Sequence, residues 1–506
     1  METGDWNLLI SIPDILVPMM QIAPFIHKFK SFNGNYYIYD VRTSRFVRVN
    51  QIVYDIVDDL GVLSIPEIFS KWHVKYEIDS IKKAVKLIEK HRKSALFSNK
   101  RFKKMIIPYD AQYLQEEVTS KIGYMVLNIT EVCNMRCKYC SFSGTYRYER
   151  AHSNKRMDDR VLYQAIQYYL SHSKESRVRS ISVYGGEPLT SFKKIIEIKN
   201  LVGNEIEVHI DSNGLLLERE NVREAIIRNN FFLQISLDGP QLYHDRYRVD
   251  INGRPTFARI TNNLRHIKKA STDFYRTHIS FAVTMSPDTD LLELNDFFEN
   301  EDLVQGNHII VNSVNPYDTT FYDRFTSEDY SHQSAQYDAL RRDYIRRRIS
   351  GQEPTKFERA LFEKPLVQLH LRKIDEPYEA MGMNGCCIPG LRKIFVNTDG
   401  RIYPCERVMM AYNIGNIDSG IEIDKIMNIA KEYIMYSEDD CINCWAAKGC
   451  GACFSTAVKN NRFDIERKRE RCAVLKESRH IDFVTYATIM EENSNAFDFT
   501  NGMEFA

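Results

Sequence analysis

The sequence predicts an α/β protein built on a partial (β/α)6 barrel, with a small domain before it and a cysteine-rich extension after it. Three observations carry that prediction. Strand and helix patterns alternate over 123–314, which argues for a parallel sheet. The strand patterns are apolar runs, such as Ile279-Ser280-Phe281-Ala282-Val283, that suit burial on both faces. Three clustered cysteines, Cys133, Cys137 and Cys140, follow directly on the first strand pattern. That is the carboxyl end, where barrels of this kind carry their chemistry.

Bulk properties narrow the function classes. At 506 residues the chain is long enough for roughly three domains. A hydrophobic content of 43% and a charged content of 27% describe a soluble globular protein. Sixty-eight basic and 68 acidic residues cancel, so no global field attracts nucleic acid or an anionic membrane, and neither is expected as a partner. The apolar tract 8–26 is interrupted by Asp14 and by Pro13, Pro18 and Pro24, too often to span a bilayer. The start, Met1-Glu2-Thr3-Gly4-Asp5, lacks the basic residues of a signal peptide. The expectation is a cytoplasmic protein, in which eleven cysteines favour metal or redox chemistry over disulfides.

In chain order, residues 1–105 are expected to form the small domain, with strands at 36–41 and 46–49 and helical patterns at 53–57, 65–72 and 81–88. The core, 120–320, has strand patterns at 123–130, 179–185, 205–211, 231–238, 277–284 and 307–314. Helical patterns lie between them, as at 159–172 and 256–269. A polar, helical connector is expected at 321–383; its basic run, Arg341-Arg342 to Arg346-Arg347-Arg348, reads as a solvated helix face. The cysteine-rich extension spans 384–475, and the tail 476–506 carries no legible motif.

The chemistry starts at Cys133-Asn134-Met135-Arg136-Cys137-Lys138-Tyr139-Cys140. Three thiolates at this spacing can hold three irons of a four-iron cubane and leave the fourth open to a small molecule. A zinc site is the alternative, but it usually needs four closed ligands, and the next cysteine is as far away as Cys386. The C-x3-C-x2-C run, with an aromatic residue before its last cysteine, resembles the signature of the radical S-adenosylmethionine (radical SAM) enzymes. The resemblance implies a [4Fe-4S] cluster whose open iron chelates the amine and carboxylate of S-adenosylmethionine.

Two further segments are similar to that family. The second strand ends Tyr184-Gly185-Gly186-Glu187-Pro188, where relatives contact the cofactor's amino group through the backbone, and two glycines permit such a close approach. The fourth strand ends Ser236-Leu237-Asp238-Gly239-Pro240, then His244-Asp245 and Arg248, which resembles the peptide-modifying branch. By motif position Tyr139, Gly185, Gly186, Glu187, Ser236 and Arg248 are the implied cofactor contacts. An arginine fork suits a carboxylate. A turn role for Ser236 and an ion pair for Arg248 are the structural alternatives. Asp211-Ser212-Asn213-Gly214, at the third strand's end, reads as a turn.

The other eight cysteines fall between 386 and 472: Cys386-Cys387, then Gly400-x4-Cys405, then Cys441-x2-Cys444-x5-Cys450-x2-Cys453, then Cys472. This resembles the SPASM extension, although the last short spacer is two residues where the pattern has three. The resemblance implies two auxiliary [4Fe-4S] clusters. Cys441, Cys444, Cys450 and Cys472 would hold the outer one. Cys387, Cys405 and Cys453 would hold the inner one, with Cys386 the candidate fourth ligand. Neighbours in extended chain point to opposite sides, so either the loop at Cys386-Cys387 is irregular or one of the pair is free. Two zinc ribbons are the alternative for this region.

The first domain, a hairpin followed by three helical patterns, resembles the winged-helix recognition domains of peptide-modifying enzymes, which bind a leader peptide as an added strand. Together these resemblances imply a radical SAM oxidoreductase that matures a ribosomally made precursor peptide, with thioether formation expected first. A leader-bearing precursor peptide and an electron donor such as flavodoxin or ferredoxin are the implied partners. Carbon–carbon or carbon–oxygen crosslinking, epimerisation and formylglycine formation in a sulfatase are the alternatives. Sulfatase-maturing relatives carry an aspartate base directly after the Gly-x4-Cys cysteine. Here that position is Glu406, the candidate catalytic residue, which can also accept a proton. The non-enzyme alternative is an iron–sulfur redox sensor.

Overall fold

The computed structural model describes residues 23–93, 95–383, 387–408 and 410–503. Most of the tract 8–26, and Cys386, lie outside the described residues. The chain forms two compact units. The smaller holds Gly34–Arg101 with residues up to Lys30 and Ile374–Pro377. Its three antiparallel strands are β1 (Ile26–Lys30), β2 (Tyr36–Asp40) and β3 (Arg45–Val49), in that order across the sheet. β2 and β3 are the pair the sequence suggests. β1 is an addition, because His27, Lys28 and Lys30 obscure its alternation. With β1 on the far side of β2, β3 is an edge strand, exposed at Arg45 and Arg48.

Helices α1 (Gln51–Ile56), α2 (Ile65–Trp72) and α3 (Ile78–Lys93) follow. α2 starts where Ser64 and Glu67 cap each other reciprocally, each side chain accepting the other's backbone N–H. Ile38 of β2, Val53 and Ile56 of α1, Ile68 of α2, and Ile81, Val85 and Ile88 of α3 form one buried cluster. This gives the small unit a core of its own.

In the larger unit α4 (Ala111–Ser120) leads into six strands: β4 (Tyr124–Thr130), β5 (Ser180–Gly185), β6 (Glu207–Ser212), β7 (Phe232–Ser236), β8 (Ile279–Met285) and β9 (His308–Ser313). All pair in parallel and in sequence. Register sets Leu127, Val183, Ile210, Leu233 and Ile279 side by side across five strands. All five are buried, and burying such a side chain is worth about 1.5–3 kcal/mol. The intervening helices are α5 (Asp159–His172), α6 (Phe192–Val202), α7 (Glu220–Arg228), α8 (Gln241–Tyr247), α9 (Phe257–Ala270), α10 (Thr272–His278) and α11 (Leu291–Asn300).

Two long helices follow, α12 (Ser327–Ser350) and α13 (Lys356–His370). α13 packs on β9 and so supplies the helix of the sixth β/α unit. The core therefore runs past residue 320, the boundary expected from the sequence. α12 is an insertion between the sixth strand and its helix, which hides that relation in the sequence.

The cysteine-rich region joins the same sheet. β10 (Lys393–Val396) pairs in parallel with β4, setting Ile394 beside Met125. β11 (Arg401–Tyr403), β12 (Gly415–Asn416) and β13 (Gly420–Ile421) then continue antiparallel. Two helices complete the region, α14 (Ile423–Ile442) and α15 (Ile465–Glu492). α15 crosses the boundary expected at 475/476, because Phe483, Val484, Tyr486, Ala487 and Ile489 continue its buried face beyond the last cysteine. Among the described residues no helix is long and apolar enough to cross a membrane.

Candidate functional site

The loop leaving β4 carries Cys133, Cys137 and Cys140. Its backbone is held against the segment that follows α8. Arg136 N–H donates to the Val249 carbonyl at 2.9 Å and Lys138 N–H to the Tyr247 carbonyl at 3.0 Å. Asn213 Nδ2 donates to Asn134 Oδ1 at 2.8 Å, tying the loop to the end of β6. Burial pushes the Cys133 and Cys137 thiols up to about 12, and the Cys140 thiol upward. Cluster assembly must therefore displace protons from them. His152 Nε2 lies 4.0 Å from Cys140 Sγ. Among the described residues no three His, Cys, Asp or Glu side chains surround one point as ligands of a single ion do. In a cubane each thiolate bonds a different iron, and three thiols on one short braced loop fit that demand.

Bracing the loop on residues 247–249 brings Arg248 to the cysteines. Its Nη1 lies 4.0 Å from Cys137 Sγ, and its Nε donates to Asp238 Oδ2 at 2.8 Å. The guanidinium also lies 5.3 Å from the centre of the Tyr139 ring, whose hydroxyl donates to the same Asp238 oxygen. Asp238 Oδ1 accepts from Thr284 N–H in β8 at 3.0 Å. Burial alone would lower the Arg248 pKa, but Asp238, Tyr139 and Cys137 together outweigh it and the net shift is upward. Tyr139 and Arg248 are thus joined through an aspartate that the sequence reading left without a role.

The rest of that motif holds this hub in place. Buried His244 accepts from Asp238 N–H through Nδ1 at 3.4 Å, and its Nε2 meets Thr256 Oγ1 at 3.0 Å. Asp245 accepts from the N–H groups of Thr256 and Phe257, at 2.9 and 2.8 Å, and so caps α9. Ser236 ends β7, half-buried, on the same carboxyl edge.

At the end of β5 the two glycines are required by backbone contact. Gly185 has φ +147°, and a Cβ there would lie 2.1 Å from the Thr130 carbonyl oxygen. At Gly186 a Cβ would lie 2.3 Å from the Val132 oxygen. In their place run two hydrogen bonds of 2.8 Å, Gly186 N–H to Thr130 and Glu187 N–H to Val132, which fix the chain immediately before Cys133. Glu187 is fully buried, and its charge, after burial, helps to raise the Cys133 thiol. Its carboxylate accepts from Leu189 N–H, Ser212 Oγ and Asn213 N–H, at 3.0, 2.8 and 2.7 Å. Burial pushes its pKa up to about 7. The Asp-Ser-Asn-Gly turn is therefore its binding partner.

Pairing of β10 with β4 closes a cavity beside the cysteine loop. Asn128, Phe142, Arg150, Tyr184, Phe395 and Glu406 line it. Glu406 Oε2 meets Lys393 Nζ at 2.6 Å. The Arg150 guanidinium stacks on Phe142, 3.7 Å from the ring centre. Both of its terminal nitrogens, with Asn128 Oδ1 and Glu149 Oε2, are buried without a hydrogen-bond partner among the described residues. Burial raises Glu149 to about 7 and Asp211 to about 6. Unpaired buried donors and acceptors are costly, and several in one cavity mark a place for a polar ligand. The sequence reading gave no role to Tyr184 or Arg150, which line the cavity, and read Asp211, whose shift Glu406 contributes to, as part of a turn. Strand alternation could have pointed to the inward side chains Tyr184 and Asp211, whereas nothing in the sequence marks Arg150.

The second cysteine region brings its thiols together in two sets. Cys444, Cys450 and Cys472 line one cleft; the thiol of Cys441, in the last turn of α14, is raised by burial, lowered in part by Lys468, and raised a little further by the charges of Cys450 and Cys444. Cys387 and Cys405 each feel the charge of Cys453 in the same way. None of the ten described cysteines forms a disulfide. Both sets are all-thiol and half-buried or exposed, a donor chemistry that suits iron–sulfur clusters.

Residues 127–298 match the family model of the Radical SAM superfamily. A serine-type anaerobic sulfatase-maturating enzyme of Bacteroides thetaiotaomicron is 31% identical over 156 residues, 30% of this chain and 37% of that enzyme. A cysteine-type anaerobic sulfatase-maturating enzyme of Clostridium perfringens is 24% identical over 364 residues, 66% of this chain and 89% of that enzyme. Among solved structures, native anSMEcpe with bound AdoMet superposes with a TM-score of 0.51 at 19% identity, covering 75% of this chain and 100% of that one. At that identity the likeness is one of fold.

Proposed function

We propose that this chain, a radical SAM enzyme, modifies a ribosomally made precursor peptide, joining a cysteine sulfur to a carbon of another residue as a thioether. The observation that carries the reading is one shared cavity. Glu406, next to Cys405, lines it together with Phe142, two residues after Cys140. A substrate side chain there would lie between the first cysteine triad and the inner set of the extension.

Held by Cys133, Cys137 and Cys140, and by Cys387, Cys405, Cys453 and the outer four, [4Fe-4S] clusters with S-adenosylmethionine would supply one-electron removal of a substrate hydrogen and a sink for the remaining electron. The chain's own residues do the rest. Tyr139, Ser236, Arg248 and the Gly185-Gly186 backbone present donors and acceptors at the carboxyl ends of the strands. Glu406 takes the proton of the substrate thiol, and Lys393 fixes its carboxylate at the cavity wall. Arg150 offers two donors to a substrate carbonyl or carboxylate. Phe142 and Phe395 exclude water.

Leader binding falls to the small unit. β3 is one of its two edge strands, and an extended peptide can add there through main-chain hydrogen bonds. The solved sulfatase-maturating fold accounts for 75% of this chain, which leaves room for a unit with a separate task. A flavodoxin- or ferredoxin-type protein is the expected electron donor.

The curated relatives favour a second reading, formylglycine formation in a sulfatase. Mass spectrometry of candidate short peptides coexpressed with the enzyme separates the two. Loss of two hydrogens per bond, with one cysteine blocked to alkylation, is the expected result. An aldehyde reactive to hydrazide would establish the second reading, and unchanged mass with solvent-deuterium uptake would indicate epimerisation.

A further inference from the structure

We propose that Lys468 is the built-in counter-charge of the outer iron–sulfur site and raises that site's reduction potential. The proposal rests on reading Cys441, Cys444, Cys450 and Cys472 as cluster ligands. Lys468 lies in the first turn of α15 and is 3% exposed. Its ammonium donates to Cys441 Sγ at 3.3 Å. Among the described residues no carboxylate pairs with it.

The neighbouring residue shows how unusual this is. Arg467 is also buried, but its guanidinium meets Asp318 at 2.6 Å and donates to the Val458 carbonyl. Two successive cations are thus taken out of water; one is given a carboxylate, and the other a sulfur and the face of Tyr433, 5.6 Å from the ring centre. Burying an ammonium without an anion costs several kcal/mol. A neutral thiol is a poor substitute, whereas a cluster-ligating thiolate carries the missing charge.

Helix geometry supports the placement. Cys472 follows Lys468 by one helical turn and so shares its face of α15. Cys441 sits in the last turn of α14, where the helix dipole is negative and favours a cation. The ammonium therefore stands beside Cys441, and its charge also reaches Cys450. Cluster potentials respond to net charge and to hydrogen bonds at sulfur. A fixed positive charge favours the reduced form, which carries one more electron. Arg248 beside Cys137 differs, because Asp238 neutralises it.

The test is an EPR-monitored redox titration of the anaerobically reconstituted full chain, with iron and sulfide assayed in each preparation. In Lys468→Met and Lys468→Gln one cluster should become at least tenfold harder to reduce, a shift of about 59 mV for one electron. Lys468→Arg should titrate close to the wild type. If the two neutral variants lose one cluster's iron while Lys468→Arg keeps it, the charge is needed to hold the thiolates and the proposal stands. Full iron with unshifted titrations in both neutral variants overturns it. So does loss of iron from all three variants, which would make the role one of shape. A wild-type protein without iron and sulfide instead defeats the reading of the cysteines.

Discussion

Two regions of this molecule set a buried cation against a cysteine, and they do it differently. At the barrel mouth, Arg248 faces Cys137 but is bonded to Asp238, which Tyr139 and Thr284 also reach. At the outer set, Lys468 faces Cys441, and among the described residues no carboxylate pairs with it. The first arrangement is neutral and closed, a rigid wall for a ligand that brings its own charges. The second leaves the cation to be balanced by the sulfurs themselves, which suits a group that gains an electron. Under the proposed reading, the contrast places chemistry at the first site and electron storage at the second.

The largest expected effects test that assignment directly. Cys137→Ala should reduce 5′-deoxyadenosine formation to background, measured by chromatography of the reconstituted enzyme. Cys444→Ala should retain measurable cofactor cleavage yet yield no crosslinked peptide. Unimpaired product from either variant breaks the comparison on that side. The next effect is in stability. Asp238→Asn leaves the Arg248 cation buried and unpaired, which should cost about 3–5 kcal/mol. The unfolding midpoint in urea measures it, and a near-neutral result would show that Arg248 finds another anion.

A smaller effect depends on pH and isolates the support behind the triad. Burial raises the Glu187 pKa from 4.5 to about 7 in the folded chain. Between those values the native state holds a proton that the unfolded state has lost. Stability should therefore fall as pH rises through that window, by roughly 1–3 kcal/mol, and level off above it. Below pH 4.5 both states are protonated, and the site contributes no slope. Glu187→Gln mimics the protonated acid, so it should match the wild type at low pH and become the more stable of the two as pH approaches 7. A difference that does not change with pH would show that the hydrogen bonds from Asn213, Ser212 and Leu189 keep the carboxylate ionised.

The sequence was most informative where the physics is local. The six barrel strands lie within two residues of the runs that suggest them, because buried apolar residues recur at alternate positions along most of them. The cysteine triad was legible because its ligands fall within eight residues. What escaped depends on partners distant in the chain. β10 to β13 are two to four residues long, too short to show a period, and only their pairing with β4 joins the extension to the barrel. Lys468 reads as part of a basic run, Arg467-Lys468-Arg469, that would ordinarily be solvated; only burial separates it from Arg469. Asp238 was visible in its motif, yet its link to Tyr139 spans 99 residues.

The smallest expected effect asks what holds that link together. Tyr139 is half-buried, with its ring edge-on to Tyr247 and Phe321 at centroid distances of 6.2 and 6.1 Å. Tyr139→Phe keeps all of this packing and removes only the hydroxyl. Asp238 Oδ2 still accepts from Arg248, so no buried carboxylate oxygen loses its last partner. The cost should then be near that of one hydrogen bond, about 1 kcal/mol, with little change in the cofactor's apparent affinity. Should Tyr139→Phe instead destabilise as much as Asp238→Asn, the phenol rather than the guanidinium would be the principal partner of Asp238. The barrel-mouth cation would then be poorly neutralised, and the contrast with Lys468 would disappear.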